Sequence, residues 1–113
     1  MAVRMSKPWL PLDAEHVAML TGHLGVFQLA DAQGSIVYIG VAGGRSRFGL
    51  KGELQAVLAS PPHGAVAYRV EVNQMYRSRH IELLQAFAHD NGTLPPGNSS
   101  VDMASLGRIR PYG

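Results

Sequence analysis

Cysteine is absent from this sequence. That excludes disulfides, thiolate zinc sites and a cysteine nucleophile, and it fits a reducing compartment. Long apolar runs are absent as well: no segment approaches the roughly 20 residues that a membrane-spanning helix needs. Met1–Leu12 carries two basic residues, Arg4 and Lys7, but has no extended apolar stretch and is interrupted by Pro8 and Pro11. It does not read as a secretory signal, so the expected location is cytoplasmic. Without such a signal, the Asn91-Gly92-Thr93 and Asn98-Ser99-Ser100 patterns carry no expectation of glycosylation. Strong net charge is missing too. Ten Lys and Arg stand against eight Asp and Glu, for a net charge of +2 and a pI near 9.3. This is a mild lean towards a polyanionic partner, and an ordinary solvated surface explains it equally well. The five histidines never form an H-x-x-x-H pair, which argues against a histidine metal site. Gly43-Gly44 belongs to no phosphate-binding fingerprint and reads as a flexible turn.

What the chain does have is enough length, 113 residues, for one small domain with a real core. Two β-rich strings, Leu24–Leu29 and Ile36–Val41, flank Asp31-Ala32-Gln33-Gly34, whose residue types favour a tight turn. A β-hairpin is expected there, with Phe27 and Tyr38 on neighbouring strands. Before it, Asp13 is a good N-cap for a short helix over 14–20, with Val17 and Leu20 inward. Trp9 and Leu10 are candidates to fold back as an anchor. After the hairpin, Leu50, Leu54, Val57 and Leu58 recur at helical spacing, predicting a helix over 47–60 that Ser46 could cap and Pro61-Pro62 stops. Ala65–Val72 reads as a third strand. Met75–Asp90 reads as the clearest helix, with Tyr76, His80, Leu83, Leu84, Phe87 and Ala88 on one arc. Asn91-Gly92 ends it, and a Pro/Gly/Ser-rich loop and a basic tail follow. The expectation is an α/β (α+β) domain: a three-stranded, at least partly antiparallel sheet flanked by helices. Its organisation reads as an arm and short helix over 1–23, the main body over 24–98 and the tail over 99–113.

Three clusters of basic residues stand out: Arg45, Arg47 and Lys51; Arg69, Arg77, Arg79 and His80; and Arg108 with Arg110 in the tail. Among the polar residues, Tyr38 reads as a strand aromatic with a surface hydroxyl, Arg47 as a solvated charge near a helix start and Asn98 as a loop former. Glu82 lies nearly opposite the Leu83, Leu84 and Phe87 arc, beside Ser78, Gln85 and His89, where a solvated glutamate belongs.

The strings Gly25-Val26-Phe27 and Tyr38-Ile39-Gly40, with the element order that follows them, resemble the GIY-YIG nuclease domain. The resemblance runs from about residue 24 to 98. It matches the second motif outright in Tyr38, Ile39 and Gly40, places Phe27 where the first motif has its tyrosine, and offers Arg47 (or Arg45) for the family's arginine. Glu82 would be its glutamate and Asn98, after Leu94-Pro95-Pro96-Gly97, its asparagine.

The activity this resemblance implies is divalent-metal-dependent hydrolysis of phosphodiester bonds in DNA. Glu82 would hold Mg²⁺ or Mn²⁺, a hard cation suited to oxygen ligands, with Glu71 as the alternative carboxylate. Arg47 would bind phosphate oxygens, Tyr38 would position or deprotonate water, and Asn98 would support them by hydrogen bonding. Arg45, Lys51, Arg77 and Arg79 would contact the nucleic acid, and His63 falls where some members place a histidine. Phe27 removes a hydroxyl near Tyr38, which would lower activity. Two other readings stand beside the nuclease: a weakened member that binds nucleic acid without cutting it, and a protein-interaction module on the same fold. A protein partner or an oligomer is left open, and no membrane association is expected.

Overall fold

The computed structural model describes residues 4–99. The elements run in the order β1 (Leu10–Pro11), α1 (Ala14–Ala18), β2 (Gly25–Ala30), β3 (Ile36–Ala42), α2 (Gly49–Ala59), β4 (Ala67–Val72) and α3 (Tyr76–Asn91), with short 3₁₀ turns at Pro62–Gly64 and Pro96–Asn98. The sheet has four strands in the order β1-β4-β2-β3, and every neighbouring pair is antiparallel. The three-stranded expectation is corrected by one strand. Leu10–Pro11, too short to show any alternation, pairs with Tyr68 and Ala67. The segment expected to be an arm thus supplies a strand to the sheet and Met5 to the core.

The hairpin forms where its residue types require it. The Asp31 side chain accepts from the N–H groups of Gln33 and Ser35, and Gly34 takes φ +82. β2, the central strand, is buried along its whole length, which its nearly all-apolar Gly-Val-Phe-Gln-Leu-Ala allows. Gln28, its one polar side chain, accepts a hydrogen bond from Arg69 Nε at 2.7 Å. Register then assigns the two faces. Leu29 opposes Tyr38, so both point to one side; Val26 opposes Glu71, and Gln28 opposes Ile39, so these point to the other. On the first side, α1 and α2 pack Val17, Leu50 and Leu54 over Phe27, Leu29 and Tyr68. On the second, α3 packs Leu83 and Leu84 over Val26 and Ile39. Each such fully buried side chain contributes about 1.5–3 kcal/mol, so two covered faces give this small sheet its stability.

The helices differ from expectation at their ends. α1 stops at Ala18, and α2 begins at Gly49 and not at Arg47. Gly49 has φ +61, and a Cβ there would lie 2.1 Å from the Gly22 carbonyl oxygen, so the chain turns sharply before the helix can start. Ser46 does not cap α2. Instead, the N–H groups of Leu50 and Lys51 donate to the carbonyls of His23 and Thr21. β4 starts at Ala67, two residues later than expected. α3 ends on Gly92 at φ +75, as Asn91-Gly92 foretold. The basic tail over 101–113, with Arg108 and Arg110, lies outside the described residues.

Candidate functional site: a cleft beside Tyr38 and a cationic end

The hairpin brings Phe27 and Tyr38 together on the α2 side of the sheet. Their ring centroids are 5.8 Å apart, with the planes tilted by 50°. Phe27 opposes Gly40 across the hairpin, and a Cβ at Gly40 would strike the Phe27 ring at 2.2 Å. Gly40 is therefore fixed by the aromatic on the facing strand. An irregularity at Leu29/Ala30 leaves Val37 as an extra residue in β3, so that Val37 and Tyr38 both reach the α2-side core.

Beside these rings is a cleft of about 340 Å³, lined by Phe27, Tyr38, Ala56, Val57 and Pro62, with Glu53, Ser60 and His63 as its polar groups. Burial, reinforced by the charge of Glu53, pushes the Tyr38 phenol above its usual 10. At neutral pH Tyr38 is therefore a hydrogen-bond donor, and this setting opposes its use as a base. Glu53 accepts from Ser46 Oγ at 2.9 Å, and Ser46 Oγ accepts from the Gly43 N–H at 3.1 Å. Glu53 had a signal in the sequence: it lies three residues after Leu50 and four before Val57, on the buried arc of α2.

Glu82 is on the other side of the sheet. It extends from α3, whose Leu83 and Leu84 cover the Val26 face, and it pairs with Arg79. Arg79 also grips Glu71 through two hydrogen bonds, of 2.7 and 3.0 Å, and holds the Glu71 carboxyl below the usual carboxylate range. Glu82 is thus not the free solvated glutamate that the helical wheel described. The position next to it that a metal would need is taken by a guanidinium. Among the described residues no three His, Asp or Glu side chains converge. The donors around Glu82 and Glu71 do not fit Mg²⁺ or Mn²⁺, and no chemical step is derived through such an ion.

Asn98 is buried under the outer edge of β3, where it holds the backbone of Ile39. Arg47 is exposed in the loop before α2, with its guanidinium 5.4 Å from the centre of the Phe48 ring. Tyr38, Phe27, Glu53 and His63 are therefore brought together, whereas Glu82 is separated from them by the sheet.

The cationic candidates gather at one end. The Gly44 N–H donates to Tyr76 Oη at 3.1 Å, which ties the 43–48 loop to the start of α3. Arg45 and Arg47 on that loop and Arg77 next to Tyr76 are exposed; Lys51, on the first turn of α2, is partly so. Among the described residues none of these four forms an ion pair. Phe48, beside Arg47, has 62% of its surface exposed. Arg79 is instead held by its two carboxylates. Arg69 stacks on Trp9 at 4.2 Å and binds Gln28 and the Lys7 carbonyl. Among the described residues no helix is long and apolar enough to cross a membrane.

The class these observations define is a small α+β domain built on a four-stranded antiparallel sheet with helices on both faces. Residues 3–90 match the family described as a domain of unknown function, DUF7508, and the chain belongs to that family. Neither the curated proteins nor the solved structures contain a match to it.

Proposed function

We propose that this domain binds nucleic acid through its cationic end, as a GIY-YIG-like module that holds a strand without metal-dependent cutting at Glu82. The observation that carries this reading is the group Arg45, Arg47, Lys51 and Arg77, without acidic partners among the described residues, together with the exposed ring of Phe48 beside Arg47. Arginine presents a planar fork that matches phosphate oxygens, and an exposed aromatic gives an unpaired base a face to stack on. DNA is the partner expected from the resemblance. The separation of Glu82 from Tyr38 supports binding over metal-assisted hydrolysis.

The test is a titration of labelled single-stranded and duplex DNA against the whole chain at several salt concentrations. Binding should weaken linearly in log–log form, with a slope of about −2 to −4 for three or four displaced counterions. A flat salt response, or no binding at low salt, ends this reading and leaves the protein-interaction module.

A hydrolase reading keeps one specific support: Tyr38, Glu53 and His63 line a single cleft. A nuclease assay with Mg²⁺ and Mn²⁺ on single-stranded, duplex and branched DNA addresses it, with Tyr38→Phe and Glu53→Gln run alongside. Cleavage lost in both variants would restore the enzyme, with its site on the α2 side of the sheet.

A further inference from the structure

The cleft beside Tyr38 has the size and chemistry of a site for one flat heterocycle. The cleft is open on its solvent side, and its volume of about 340 Å³ lies at the small end of ligand pockets. Phe27, Tyr38, Val57 and Pro62 give it apolar surface. Glu53 supplies a carboxylate, which only accepts hydrogen bonds. Ser46 occupies one of that carboxylate's several acceptor positions, so others remain available. The Tyr38 hydroxyl supplies a donor.

A carboxylate favours a ligand that presents two N–H groups side by side. Among the nucleic-acid bases guanine does this, with N1–H beside its exocyclic amino group. Adenine and cytosine place a ring acceptor next to the amino group, which a carboxylate repels. The position of the cleft relative to the cations is equally specific. Ser46, the residue that anchors Glu53, lies between Arg45 and Arg47 in the same loop. The backbone that carries both arginines is thus tied to Glu53 through Ser46.

We propose that the Tyr38–Glu53 cleft receives one unstacked guanine of a single-stranded nucleic acid, with Glu53 accepting from its two adjacent N–H groups and Tyr38 donating to its carbonyl oxygen. This rests on the nucleic-acid-binding reading above and adds a base preference to it. Phosphate contacts position a strand, and contacts to base edges give it sequence.

The test is fluorescence anisotropy with the full chain and a short labelled oligothymidylate carrying one central guanine, adenine or abasic site. The guanine strand should bind about tenfold more tightly than the other two, the range expected of a paired contact to a base edge. Glu53→Gln should bring the strands to within about twofold of one another. Ala56→Leu should do the same: it fills the cleft from an exposed position of α2 and leaves the core untouched. Equal affinity of the wild type for all three strands overturns the base site but leaves phosphate binding standing. So does a guanine preference that persists in Ala56→Leu. Failure of all three strands to bind overturns both.

Discussion

The carboxamide of Asn98 takes up both backbone polar groups of Ile39: its oxygen accepts from the Ile39 N–H at 2.8 Å and its nitrogen donates to the Ile39 carbonyl at 2.9 Å. One side chain thus does for the outer edge of β3 what a further strand would do. Asn98→Ala should lower stability by about 2–3 kcal/mol, because it leaves a buried N–H unpaired and weakens a carbonyl contact. Asn98→Asp keeps the acceptor but sets a carboxylate against the carbonyl, and should lose at least as much. Denaturant midpoints measure both. A loss within error of zero would mean that the edge opens to water at no cost.

His80 reads the same carbonyl from α3, with Nε2 donating to Ile39 O at 3.0 Å. A carbonyl only accepts, so Nε2 carries the proton. Burial pushes the imidazole pKa below its ordinary 6.5, and the bond to Ile39 opposes this in part. Below pH 6.5 the unfolded chain therefore binds a proton that the folded chain resists. Stability should be level above that value and fall as pH drops through the depressed folded value. His80→Gln should flatten the curve between about pH 7 and 5, a window above that of the carboxylates. Chemical denaturation across this range is the measurement, and an unchanged slope would contradict the assignment.

Tyr68 is fully buried, and its hydroxyl has no partner among the described residues. Tyr68→Phe removes an unsatisfied polar atom and keeps the ring, so it should stabilise the fold by about 1 kcal/mol. A thermal melt that moved downward would show that the hydroxyl is hydrated or bonded in solution.

At Gly49 the expectation is reversed. Gly49→Ala places a methyl against the Gly22 carbonyl at a positive φ, and should cost about 2 kcal/mol or more. The same melt measures it. A change below about 0.5 kcal/mol would mean that the 21–23 loop yields readily.

Arg45→Ala and Arg47→Ala should each reduce the slope of log affinity against log salt by about 1, with little effect on melting. The mostly buried Arg79 gives the opposite pattern. Arg79→Met should lower stability, because Glu71 and Glu82 lose their shared partner. Arginine variants whose slopes match the wild type would remove this loop from the proposed interface.

The parts of the fold legible in the sequence are those written in local patterns. The hairpin shows in its β-formers and the Asp31–Gly34 turn, α3 in the Leu83, Leu84 and Phe87 arc, and its end in Gly92. The start of α2 was hidden because a glycine near a helix terminus gives no sign of its φ. β1 was hidden because two residues cannot show a period: Leu10 joins the sheet through its backbone and Trp9 lies under the Arg69 guanidinium, while both side chains stay exposed instead of anchoring in the core.

The candidate site was legible only in part. Phe27 and Tyr38 share a face because the turn fixes their register. Helical spacing puts Glu53 on the inward side of α2, but its meeting with Tyr38 comes from the packing of α2 on the sheet, which no local pattern records. Glu82 and Tyr38 can be ordered along the chain from sequence, but which side of the sheet α3 covers is a property of the tertiary fold.

The head of α2 has one more consequence. Its leading N–H groups are spent on the carbonyls of Thr21 and His23, so an anion arriving there finds no rigid cradle of amides and must be held by long side chains alone. Arginine tips swing through many rotamers and can follow phosphates at different spacings. A surface of this kind is tolerant of sugar pucker and helical form. For the proposed nucleic-acid binding, this predicts that the phosphate contacts by themselves distinguish little between DNA and RNA.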